Sequence, residues 1–141
     1  MLAVTSYPQA YIDERRAAVH AQIVAYTVLS AAAGDEAVAA FEPLFFRHML
    51  LALDMVVCHR QRSLEGKDGN PLNEVRMLCN SVMHHDAVLA ADKTIKYKPA
   101  GSVLGYEIGD RITLGAGDFT RLADAFFDEI GRRYPPVATA A

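Results

Sequence analysis

An all-α fold, an up-and-down bundle of about four main helices, is what this sequence predicts, and three observations carry the expectation. Apolar residues recur at three- and four-residue spacing over several long stretches. Prolines, glycines and capping side chains mark where those stretches begin and end. One region alone, residues 93–114, alternates like a strand, so the pattern adds only a short β-hairpin or extended arm before the last helix.

With 141 residues and 52% hydrophobic content, the chain is sized for one ordered domain, residues 1–141, around a single core. Apolar runs such as residues 49–53 fall far short of the roughly 20 residues a bilayer-spanning helix requires, so no membrane partner is expected. The first residues lack the order of a secretory signal, and the 2 cysteines, Cys58 and Cys79, have no metal-type spacing. These features point to the cytoplasm and to no cofactor. A formal charge of -3 gives no overall attraction to nucleic acid, so any phosphate-binding surface must be a local cluster.

Taken in order, residues 1–7 carry no pattern and read as a frayed or docking segment, with Pro8 close to the first helical position. Over residues 10–33, Ile12, Val19, Ile23, Tyr26, Val28 and Leu29 fit one face of a long amphipathic helix, with Asp13, Glu14, Arg15 and Arg16 on or near its outer side. Gly34 should stop it. Asp35 can cap a short helix through Phe41, after which Pro43 is expected to start a new helix over residues 43–64 rather than kink a continuous one. That helix is apolar around much of its circumference, which places it at the bundle centre or in an oligomer interface; a homodimer is expected. His48 and His59 share a stripe with Phe41, Phe45, Ala52 and Met55 and read as packed or hydrogen-bonded histidines. Arg60 and Arg62 suit the negative pole of the helix dipole. Residues 65–70, EGKDGN, then form a tight loop that makes the next helix an antiparallel neighbour.

Residues 71–86 hold the clearest helix start and the densest set of reactive side chains. Asn70 caps, Pro71 takes the first position, and Asn73 and Glu74 fill the first turn. Leu72, Val75, Leu78, Cys79, Val82 and Asp86 trace the core face, while Arg76, Asn80 and His84, four residues apart, drift only ~40° per step and line its flank. A guanidinium, a carboxamide and an imidazole can jointly hold a phosphate and move a proton; the same three can equally form a solvated flank. Adjacent His84 and His85 point about 100° apart, so a metal site drawn from Cys58, His59, Cys79, His84 and His85 requires the helices to bring them together. Cys79 and His84 lie ~140° apart on the helix, which disfavours a thiol dyad and leaves Cys79 as a buried, inert side chain. Lys93, Lys96, Tyr97 and Lys98 form a basic, aromatic patch able to grip a phosphate backbone and stack a base, or simply to solvate a loop. A small hairpin or extended arm around Gly109 and Asp110 follows over residues 106–114. Asp118 then caps a last helix from Phe119 to about Tyr134, with Leu122, Ala125, Phe126, Glu129 and Ile130 as its core stripe and Phe127 at the edge. Pro135 and Pro136 close it, leaving a loose tail to Ala141.

The run Leu78-Cys79-Asn80-Ser81-Val82-Met83-His84 resembles the signature of the HEPN superfamily, in which an arginine, usually followed by asparagine, precedes a histidine a few residues on. The order of helices is similar over most of the chain. The resemblance implies a small all-α dimeric domain whose motif residues meet at the dimer cleft and cleave RNA without a metal. Carried over residue by residue, it makes Asn80 the motif asparagine and His84 the motif histidine, with Cys79 where the arginine would stand. Arg76, one turn earlier on the same flank, is the stand-in that helix geometry offers. The expected site is therefore His84 for proton transfer and Asn80 for orientation. Arg76 with Lys96 or Lys98 would offset phosphate charge, and Tyr97 would stack a base. The competing class is a non-catalytic scaffold or regulatory interaction protein built on the same dimer.

Overall fold

The computed structural model describes residues 3–137, so the end of the expected loose tail lies outside the described residues. Four helices carry the fold: α1 (Gln9–Ala32), α2 (Asp35–Met55), α3 (Pro71–His84) and α4 (Ala116–Arg133), with single 3-10 turns at Arg62–Glu65 and Pro99–Gly101. α4 packs against the other three, and α2 against α1 and α3. The bundle expected from apolar spacing is the fold.

Its core lies where α2, α3 and α4 meet. Phe46, Leu50 and Leu53 from α2, Leu72, Val75 and Leu78 from α3, and Phe119, Leu122, Phe126 and Ile130 from α4 are all buried. Each fully buried side chain of this size contributes about 1.5–3 kcal/mol relative to exposure. α1 adds a narrower stripe of Ile12, Val19 and Tyr26, spaced two turns apart. Val28 and Leu29, expected on that stripe, face solvent at 68% and 59% exposure. The start of the chain docks: Val4 N–H donates to the His59 carbonyl at 2.9 Å, and the Val4 carbonyl accepts from Gln61 N–H at 2.6 Å.

Two boundaries differ from expectation around Pro43. α2 runs through this proline without interruption from Asp35, and it ends at Met55 instead of near residue 64. An interior proline costs a helix about 3 kcal/mol through its missing donor and ring clash. Aromatic packing by residues before and after Pro43 offsets that cost: Phe41 and Phe45 stack on Tyr26, and Phe46 meets the Tyr26 ring edge-on at 4.9 Å. Beyond Met55 the chain turns, with Val57 N–H donating to Asp54 and Cys58 N–H to Met55.

Of the small hairpin or extended arm expected over residues 106–114, the hairpin does not form, for among the described residues there is no strand, only two isolated bridges. Its extended half pairs instead with the chain leaving α3. Leu89 N–H donates to the Asp110 carbonyl and Ile112 N–H to the Ala87 carbonyl, each at 2.8 Å. Asp86 and Ala87 adopt φ of 53° and 57°, which turns the chain sharply enough to lay residues 87–89 alongside. The alternation came from Ile112 and Leu114 anchoring the loop to the core, both fully buried.

α4 begins at Ala116, one turn before the expected start, so Asp118 lies in the first turn and pairs with Arg121 at 2.7 Å instead of capping. The cap comes from α2: Glu42 Oε1 accepts from Ala116 N–H at 2.9 Å. Gly115 makes room for it, because a Cβ there would sit 2.2 Å from that oxygen. On the buried stripe Phe119, Ala123 and Phe127 join the expected residues, while Ala125 stays half-buried.

Candidate functional site in the α2–α3 groove

α3 starts as its sequence dictates. Asn70 Oδ1 accepts from Leu72 N–H at 2.9 Å and from Asn73 N–H at 3.3 Å, and Pro71 opens the helix. The buried face is wider than the apolar pattern, since Asn73, Glu74, Met77 and Ser81 are buried with Leu72, Val75 and Leu78. Asp86, expected at the end of that face, lies beyond the helix and is 95% exposed. Glu74 is buried because it has backbone partners: its carboxylate accepts from Val103 N–H at 2.8 Å and Leu104 N–H at 3.0 Å. Burial raises its pKa, and those two donors pull the other way.

The flank of Arg76, Asn80 and His84 faces solvent throughout, but its members divide. Asn80 and His84, one turn apart, line a groove of about 350 Å³ between α2 and α3, together with Leu51, Asp54, Met55, Cys58, Cys79 and Met83. Arg76 is not in that lining. Its guanidinium lies 3.8 Å from Glu65 Oε2 at 45% exposure. Cys79 turns toward α2, where its thiol donates to the Leu50 carbonyl at 3.3 Å. Burial, with Asp54 adding, pushes that thiol up to about 12, so it stays protonated and supplies neither a nucleophile nor a charge.

Lys96 and Lys98 line a second cleft, of about 240 Å³, with Asp68, Gly69 and Gly101; it shares no lining residue with the first. Two loops meet there through a 2.8 Å bond from Lys96 N–H to the Lys67 carbonyl. Tyr97 between these lysines is half-buried, and its hydroxyl donates to the Tyr106 carbonyl, so the ring is built into the loop. His48 is exposed, with Nδ1 2.9 Å from the Leu44 carbonyl, and His59 is exposed beyond the end of α2. Among the described residues no three His, Cys, Asp or Glu side chains come together in a way that could hold a metal ion, so the set built on Cys58, His59, Cys79, His84 and His85 does not assemble.

The sequence pattern missed the charged cluster at the closed end of α2. Arg60 does more than complement a helix pole: its side chain is wholly buried, donating through Nε to Glu65 Oε1 at 2.8 Å and through Nη2 to Asp54 Oδ1 at 3.0 Å, with its guanidinium 5.6 Å from the Phe126 ring centre. Arg62 reaches Glu65 Oε1 at 3.2 Å and Asp54 Oδ2 at 3.3 Å. No periodic signal marks this cluster, because it forms only where α2 ends at Met55 and the turn folds back. Comparison with protein-family models, curated sequences and solved structures finds no significant match to this chain.

Proposed function

We propose that the chain is an HEPN-like cytoplasmic domain that forms a homodimer across the α2–α3 groove, receives RNA or a nucleotide there and cleaves RNA without a metal. His84 moves the proton, Asn80 orients the phosphate or the imidazole, and charge compensation falls to Arg76, one turn before Asn80 on α3. One observation carries this reading: Asn80 and His84 line the same open groove, whose rims are Met55 at 66% and Met83 at 60% exposure. Exposed methionines beside a few polar side chains suit a cleft covered by a second copy. Lys96 and Lys98 serve a more distant stretch of the same strand, since they line a separate cleft.

A second reading, a non-catalytic interaction domain on the same dimer, draws on Cys79. A protonated thiol held to Leu50 offers no charge where the motif arginine would stand. Titrating the protein with single-stranded RNA while following histidine ring resonances separates the two. The RNase reading expects the His84 signals to move and those of His20 on α1 to stay. Unmoved His84 signals at saturating RNA refute it.

A further inference from the structure

The cluster at the end of α2 has an uneven charge balance. Four cationic side chains, from Arg60, Arg62, Arg76 and Lys67, meet three carboxylates, Asp54, Glu65 and Asp92, which leaves one positive charge in excess. The burial is uneven too. Arg60 and Glu65 are sealed in the core, with side chains 0% and 1% exposed, whereas Arg62 and Arg76 show 39% and 45% to solvent. The positive excess therefore lies on the exposed side of the cluster, where Arg62 and Arg76 are. They converge because each approaches a different oxygen of the same Glu65 carboxylate, Arg62 at 3.2 Å from Oε1 and Arg76 at 3.8 Å from Oε2.

Neither guanidinium is used up by these contacts. Oε2 of Glu65 is buried with no hydrogen-bond partner, so Arg76 is close enough to feel the charge and too far to spend a donor on it. Arg62 uses one nitrogen on Glu65 and one on Asp54, which leaves it further N–H donors. Asp54 also lines the groove of Asn80 and His84, which ties the pair to that site. Asp92 is the other carboxylate in range of Arg76; its Oδ1 accepts from the Thr94 hydroxyl at 2.7 Å and the Thr94 N–H at 2.9 Å, and Lys67 shares its charge with Arg76.

We propose that Arg62 and Arg76 form a two-arginine phosphate clamp at the Asp54 end of the α2–α3 groove, with the buried Glu65 holding both guanidinium groups in place. The clamp supplies from two separate elements the fixed charge that Cys79 cannot. Its ligand is a phosphate group, carried by an RNA backbone or by a nucleotide. This assignment rests on the groove being the phosphate site but not on any cleavage there.

The test measures binding of a fluorescein-labelled single-stranded RNA to the full chain by anisotropy across a salt series, with ADP as competitor. The clamp predicts that Arg62→Gln/Arg76→Gln weakens binding at least about tenfold and lowers the salt slope by roughly 1.4, the share of two phosphate contacts on a single strand. If the Arg62 variant fails to fold, Arg76→Gln alone carries the test, since among the described residues Arg76 makes no hydrogen bond; it should lose about half that slope. His20→Ala, on α1 outside the groove lining, should bind as the wild type does, and because binding is read without cleavage, a failure of catalysis leaves the clamp standing. Displacement by ADP identifies a nucleotide phosphate as sufficient, and displacement only by unlabelled RNA identifies the backbone. Unchanged affinity in both arginine variants, or no binding by the wild type, overturns the clamp.

Discussion

Arg60 and Glu65 form a sealed ion pair in which one carboxylate oxygen accepts from both Nε and a terminal nitrogen of the same guanidinium. Both side chains are at most 1% exposed, so neither has water to fall back on. Replacing one partner leaves the other charged and buried, a loss of about 3–5 kcal/mol. Glu65→Gln should therefore unfold at markedly lower urea concentration than wild type with the same slope, as chemical denaturation will read. A midpoint within error of wild type would show that the pair is dispensable.

Glu74 makes stability depend on pH in an unusual direction for a carboxylate. Burial raises its pKa in the fold above the unfolded value of 4.5, so the folded state holds this proton more tightly. Its contribution is fullest below the unfolded value and is lost as pH rises through the raised one. The stability of wild type relative to Glu74→Gln should therefore fall as pH increases from about 4. Paired denaturation curves across that range check the sign, and a relative stability that rises with pH would contradict it.

Cys79 should resist alkylation in the native protein. With its thiol pushed up to about 12 and donating to Leu50, the thiolate is scarce at neutral pH. Peptide mapping after iodoacetamide treatment at pH 8 should show Cys79 modified only as fast as the protein unfolds. Rapid labelling under native conditions would place the side chain outside the α2–α3 contact.

Met55 and Met83 are the rims through which a second copy would close the groove, at 66% and 60% exposure. Met55→Glu/Met83→Glu sets like charges across any such interface and should convert the proposed homodimer to a monomer, as light scattering after size exclusion will show. A variant that stays dimeric would move the interface elsewhere. Another apolar surface is the groove of about 260 Å³ lined by Tyr26, Leu29, Val38 and Phe41, where α1 ends and α2 begins.

The parts of this fold that were legible in the sequence are those set by neighbours in the chain. Asn70, Pro71 and the periodicity after them define α3 because a cap and a first turn are local events. Pro43 misled for the opposite reason, since the aromatic contacts that keep α2 continuous come from Tyr26 on another helix. The alternation of residues 106–114 was real, but its partner, residues 87–89, is exposed to pairing only by the turn at Asp86 and Ala87. Within the site, the one-turn spacing of Asn80 and His84 was enough to bring them together. Arg62 was invisible as their neighbour, because a side chain from another element reaches the groove only through Asp54.

The central claim is that His84 moves a proton on RNA in this groove. Its most direct measurement is cleavage of mixed single-stranded RNA in the presence of a chelator, comparing wild type with His84→Ala at matched oligomeric state. The account predicts cleavage by wild type and a fall of about a hundredfold or more in the variant, the usual scale of a lost acid–base group, with the dimer unchanged. Equal cleavage by both proteins, or intact RNA with both, would contradict it.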